Sequence, residues 1–168
     1  MSKLLVICIG EALIDKIINR SDSNFRNYLG GAPANVVCAL RKLEVPAAFI
    51  GCLGDDEYGT EFIRLFQQLN INIDFLQIAK HASTRIVKVM RDESGDRSFS
   101  GFEVTKSSSF ADEMLDKLLL NTNIKNLKKL FLNTKYIVTG TNLLAFSQSS
   151  DALYFILDFA KKFKIKII

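Results

Sequence analysis

The chain has 168 residues, enough for one domain or half of a larger one. Its 48% apolar and 24% charged residues match an ordinary globular composition. No run approaches the roughly 20 apolar residues of a membrane helix, so no membrane partner is expected, and MSKLLVICIGEALIDKI lacks the layout of an export signal. The net charge of +4 is carried largely by lysines near the C-terminus, four of them (Lys161, Lys162, Lys164, Lys166) in the last eight residues. They lie at helix-surface spacing without an interleaved aromatic platform, so solvated helix faces are expected and no nucleic-acid partner. Cys8, Cys38 and Cys52 sit far apart among apolar neighbours, and His81 is the single histidine. That set predicts no metal site and a reduced, cytoplasmic setting.

In chain order, residues 4–9 form a continuous apolar run ended by Gly10, the pattern of a strand covered on both faces. Leu13 to Ile18 make a second extended stretch carrying Asp15, and a polar loop, SDSNFRN, follows. Pro33 opens a helix of about ten residues, because its fixed backbone angle suits a first turn. Residues 47–53 are a buried strand, after which Asp55 or Asp56 caps a helix with Tyr58, Phe62, Leu65, Phe66 and Leu69 at helical spacing and Asn70 at its end. Residues 84–102 predict two strands joined by a polar turn around Ser94-Gly95. Helical periodicity returns over Ala111–Leu120 and Ile124–Leu132. A strand spans 136–139, a helix runs from about Ser150 to Phe163, and IKII has the composition of a strand beginning. Alternation of this kind predicts an α/β fold, a mostly parallel sheet with helices on both faces.

The strongest local feature is Gly30-Gly31-Ala32-Pro33-Ala34-Asn35. Two glycines at a helix entrance allow close backbone approach by a ligand, and the free N–H groups of the first turn attract oxygen-rich groups. Chemistry alone leaves a plain tight turn equally open. There is no Gly-Lys-Ser/Thr ending, and the glycine spacing does not fit a dinucleotide fold. Asp55 and Asp56 are adjacent, so their side chains diverge; a cap is expected there, not a metal pair.

The stretch GGAPANVVCALRKLEVPAAFIGCLGDDEYG resembles the first motif of the ribokinase-like (PfkB) sugar kinases. GEALID at 10–15, the GDRSF hairpin and YIVTGTNLLA at 136–145 agree with it, and the nearest likeness is to fructokinases. Val37 departs from a small residue and Glu44 from a glycine. The resemblance covers essentially the whole chain and implies a ribokinase-like α/β fold, one domain's N-terminal part over 1–168, with a small β lid from strands at about 13–18 and 84–102. Family members are about twice as long, so the fold is expected to be incomplete at the C-terminus. The G-A-G-D loop, which supplies the family's catalytic base, does not occur in these residues.

The resemblance further implies phosphoryl transfer from ATP, with Mg²⁺, to the hydroxyl of a ketohexose or related sugar. It assigns substrate binding to Asp15, Gly30, Gly31, Asn35, Arg97 and Phe99, with no catalytic residue in this chain and neither ATP nor Mg²⁺ fully bound by it. Asp15 would accept from sugar hydroxyls, and Arg97 and Phe99 would belong to the covering hairpin. Glu103 falls near a position where fructokinases carry an arginine. A homodimer through the lid is expected. The alternative expectation is a non-catalytic, truncated sugar-binding or dimerising module.

Overall fold

The computed structural model describes residues 5–19, 24–92, 94–103, 107 and 109–168. Its main sheet is fully parallel and runs in the order β5 (Asn72–Ala79), β4 (Ala47–Gly54), β1 (Leu5–Ile9), β8 (Thr134–Thr139), β9 (Lys166–Ile167). Side chains alternate across it and bury on both faces. Ile7, Ile9, Ile50 and Ile137 point to one side, where they meet Leu127 and Phe131 of α4 (Ile124–Leu132) and Leu153 and Ile156 of α5 (Ser147–Lys162). Val6, Cys8, Phe49 and Leu53 point to the other, against Val37 of α1 (Ala32–Lys42) and Phe62 and Phe66 of α2 (Glu57–Gln68). This two-sided burial is why the strands read as continuous apolar runs. Val37, bulkier than the residue the resemblance predicts, is accommodated with no exposed surface.

A smaller four-stranded sheet has the order β3 (Phe25–Gly30), β2 (Leu13–Asn19), β6 (Ile86–Arg91), β7 (Arg97–Phe102). β2 and β6 are parallel, and the outer pairings are antiparallel. The expected extended stretches at 13–18 and 84–102 are therefore the middle and one edge of this sheet. Its other edge corrects the expected polar loop over 21–27. Residues 21–23 lie outside the described residues, but from Phe25 the chain is a strand whose register runs from Ile18↔Phe25 to Leu13↔Gly30. Most of that strand is exposed, so it carries no alternating apolar signal.

A second correction concerns 111–120, expected as one helix. A 3₁₀ turn covers Ala111–Met114, and α3 starts afresh at Lys117 (Lys117–Thr122). Gln77 explains the break: its side chain accepts from the Asp116 N–H (2.7 Å) and donates to the Asp116 carbonyl (2.9 Å). Asp116 in turn caps α3 by accepting from the Leu118 N–H at 2.6 Å. An Asp116 N–H committed this way cannot continue a helix from Ala111, although its carbonyl still accepts the Leu120 N–H at the start of α3 and the apolar spacing persists through Leu115 and Leu120.

The helix starts and stops follow local chemistry. Pro33 sits in the first turn of α1. Asp56, not Asp55, caps α2, accepting from the Gly59 N–H at 2.8 Å, and the same carboxylate takes the Thr84 N–H (2.7 Å) and hydroxyl (2.8 Å). A helix start is thereby stitched to the segment entering β6. α1, α2 and α5 each end on a residue with positive φ: Glu44 (61°), Asn70 (52°) and Lys164 (55°).

Candidate functional site

In the main sheet β1 lies between β4 and β8, so successive connections run outward in opposite directions from the β1–β8 pair. A crevice outside the carboxyl ends of the strands at such a reversal is the usual ligand position in open α/β sheets. Gly10 and Glu11 leave β1 there, and Gly140 to Asn142 leave β8. A cavity of about 450 Å³ opens at this point between the main sheet, the entrance of α1 and the inner face of the smaller sheet.

Asp15 reaches the cavity from β2. Its neighbours in register are Tyr28 and Val87, so the three side chains share the sheet face that looks inward. Gly30 lies directly beneath the carboxylate: a Cβ there would stand 2.3 Å from Asp15 Oδ2. Gly31 has φ 97°, and a Cβ would meet the Glu11 carbonyl at 2.5 Å, so only glycine carries the chain through this turn into α1. Asn35, one turn into α1, faces the same cavity. Burial raises the Asp15 pKa above its ordinary value, an effect the charge of Arg97 partly offsets.

The roof is formed by β7. Val87 and Val89 are two residues apart, yet their partners Phe102 and Phe99 are three apart. Gly101 (φ 104°) takes up the extra residue as a bulge, which turns both rings onto the cavity side. Thus the structure gathers Asp15, Gly31, Asn35 and Phe99 around one cavity, with Gly30 as the floor under Asp15. Arg97 is exposed at the start of β7 and does not line the cavity; its reach is electrostatic.

Two features escaped the sequence reading. Glu11 is buried (4% exposed) at the cavity wall, with Oε1 accepting from the Ala32 N–H at 3.3 Å. Burial raises its pKa, while its own backbone N–H, the Ala32 N–H and Arg85 act in the opposite direction and Asp112 adds to the rise. Arg85, also buried, donates from Nε to both oxygens of Asp112 (3.1 and 2.9 Å) and from Nη2 to Glu113 Oε1 (2.9 Å). The rings of Phe110, Phe102 and Phe146 surround its guanidinium at 4.3, 4.8 and 5.7 Å. This cluster fastens the base of the smaller sheet to the 3₁₀ turn at Ala111–Met114 and walls a recess of about 250 Å³ that continues from the cavity. A buried arginine just before a strand has no periodic signature. The signal available was the T-R pair at 84–85 ahead of the A-D-E at 111–113.

Among the described residues no group of three or more His, Cys, Asp or Glu is placed to hold a metal ion. Asp55 is exposed, and both oxygens of Asp56 are engaged by Thr84 and Gly59.

Residues 3–156 match the profile of the pfkB family carbohydrate kinases. The chain belongs to that family. Among its relatives, fructokinase-2 of Zea mays is 39% identical over 101 residues, 56% of this chain and 30% of that protein. Fructokinase-2 of Oryza sativa subsp. japonica is 32% identical over 133 residues, 76% of this chain and 38% of that protein. The crystal structure of a Xylella fastidiosa fructokinase with bound ATP superposes on 99% of this chain with a TM-score of 0.81 at 24% identity, which establishes the shared fold. The chain spans 48% of that structure, so this pfkB family chain has about half the length of its relatives or less. The mostly parallel, helix-flanked sheet with a smaller β-sheet is the ribokinase-like fold that the resemblance implied.

Proposed function

We propose that this chain forms the sugar-binding part of an ATP-dependent carbohydrate kinase of the fructokinase kind, which transfers a phosphoryl group to a hydroxyl of a ketohexose. The observation that carries the reading is the convergence of Asp15, Gly31 and Asn35 on one cavity at the switch point of the sheet. A carboxylate offers two acceptor oxygens to neighbouring hydroxyls, and an asparagine adds both a donor and an acceptor. The tight Gly30-Gly31 turn lets a ligand come close to backbone at the start of α1, while Phe99 and Phe102 shield it from water. Binding and orientation of the acceptor hydroxyl are the tasks these residues perform, and positioning is a major part of phosphoryl-transfer catalysis.

ATP is the donor in this reading, and Mg²⁺ would neutralise the phosphate charge in the whole enzyme. The described carboxylates do not suit a magnesium ion: Asp56 is spent on Thr84 and the cap of α2, and Asp15 faces the sugar cavity. No catalytic residue is assigned to this chain, and Arg97 is assigned to the lid as an electrostatic neighbour of Asp15.

The smaller sheet is the lid in this reading, and its inner face extends beyond the cavity. Phe99 is 79%, Phe102 51% and Tyr28 46% exposed on that face, a surface suited to a second copy of the chain, so a homodimer through the lid belongs to the proposal. A cytoplasmic setting fits the free thiols, of which Cys8 and Cys52 have pKa values pushed up by burial to about 12.

The test is an equilibrium binding panel of D-fructose, other hexoses and pentoses, followed by an assay with ATP and Mg²⁺. Saturable ketohexose binding without turnover supports the proposal. Absence of sugar binding by the folded chain would overturn the sugar site. Turnover in the usual enzyme range of about 1–10³ s⁻¹ would overturn the assignment of catalysis elsewhere.

A further inference from the structure

We propose that Glu11 is a second sugar-binding carboxylate, whose Oε2 accepts a hydrogen bond from a hydroxyl of the bound sugar. The proposal rests on the sugar-binding reading of the cavity and names a residue that reading did not contain.

Glu11 leaves the end of β1 at the switch point and lines the cavity that Asp15 and Asn35 also line. Its side chain is fixed, because Oε1 accepts the Ala32 N–H while the carboxyl packs against Gly140. Oε2 is different. Among the described residues it is the single buried side-chain oxygen or nitrogen with no hydrogen-bond partner. An unmatched buried acceptor is expensive, more so when charged, and native structures rarely keep one without a use. No protein donor stands in hydrogen-bond geometry to Oε2: Gly140 beside it has no side chain to give one, and an added Cβ there would only touch it, at 3.7 Å. The nearest cation, Arg85, is committed to Asp112 and Glu113.

The missing partner is therefore a donor that arrives with the ligand. The charged groups facing Glu11 are Asp112 and Arg85, and Asp15 shares its cavity. That surrounding disfavours an anionic ligand group and suits a hydroxyl, which can give its proton to a carboxylate in a charge-assisted bond. Two carboxylates, Asp15 from β2 and Glu11 from the end of β1, would then grip the sugar from two sides and fix which hydroxyl points out of the cavity.

Glu11→Gln preserves the Ala32 bond and the side-chain volume but replaces the free acceptor by an amide group. The experiment titrates D-fructose into wild type and Glu11→Gln by calorimetry, and follows the Glu11 carboxyl carbon of the wild type by ¹³C NMR with and without fructose. The proposal expects affinity to fall about tenfold or more in the variant, with its α1 amide resonances unchanged. It also expects the wild-type carboxyl resonance to shift with sugar and its titration midpoint to move down, since an accepted hydrogen bond favours the ionised form. If wild type binds fructose while the Glu11 resonance stays still and the variant binds equally, water satisfies Oε2 and the proposal is overturned with the sugar reading intact. If wild type binds no sugar, both are overturned. Should the variant fail to fold, the wild-type resonance decides alone.

Discussion

Asp15 holds a carboxyl group where burial favours its neutral form, with Arg97 offsetting part of the effect. A folded-state pKa raised above the ordinary value of 3.8 means that the folded chain holds its proton longer than the unfolded chain. This contribution to stability is greatest at low pH, declines as pH rises from the ordinary value through the raised one, and stays lost above it. Asp15→Asn removes it, so the variant should gain stability relative to wild type as pH rises through that window, and match it most closely below pH 3.8. Urea unfolding of both proteins across pH 3 to 7 checks the sign; an advantage that shrinks with rising pH would contradict it. Asp15, Gly30, Gly31 and Asn35 could be singled out because the motifs around them resemble a family; the glycine pair by itself left a plain tight turn equally open. Glu11 was not singled out. It stands in GEALID, four residues before Asp15, but a glutamate after a strand looks like a surface charge until the segment after β8 closes over it. Arg97 was expected over the substrate, yet it lies outside the cavity lining and reaches Asp15 only through its charge.

At the scale of elements, α1, α2 and α5 end alike. In α1 the Val45 N–H donates to the Leu40 carbonyl (2.9 Å) and the Glu44 N–H to that of Arg41 (3.1 Å), with equivalent pairs after α2 and α5. This closure demands a left-handed residue, and the chain supplies Glu44, Asn70 and Lys164 where glycine would be unstrained. The resemblance had marked Glu44 as standing where the family has a glycine, and its φ of 61° is the conformation a glycine would adopt freely. Glu44→Gly should therefore stabilise the protein by about 1 kcal/mol, read by urea denaturation; a loss of stability would mean that the side chain makes a compensating contact. The cluster around Arg85 joins elements instead of ending one. Arg85→Ala would leave Asp112 buried and uncompensated, and should destabilise by about 3–5 kcal/mol in the same measurement. A loss below about 1 kcal/mol would show that Asp112 is readily neutralised or hydrated. Strands β1 and β4 were easy to read because both faces are buried. β3 was not, since an exposed edge strand takes its conformation from its neighbour β2, and the break before α3 depends on Gln77, 39 residues away.

At the scale of the molecule, the two sheets meet at the switch point and leave apolar surface on their outer reaches. The inner face of the smaller sheet shows Tyr28, Phe99 and Phe102, and at β9 Ile167 and Ile168 are exposed. An exposed aromatic face of this kind invites a second copy of the chain. The chain should therefore self-associate, with a sedimentation coefficient that rises with concentration; a cooperative monomer across a wide concentration range would contradict this. The α/β pattern and the order of most elements could be read from periodicity, whereas the cavity could not, because it lies between segments more than 120 residues apart in the chain, Glu11 and Asn142. The claim on which everything else depends is that this cavity binds sugar through Asp15. Calorimetric titration of D-fructose into wild type and Asp15→Ala, with circular dichroism to verify that both are folded, tests it most directly. Saturable binding by wild type that disappears in the variant is the expected result. Equal affinity in the two proteins, or no binding by folded wild type, would contradict it.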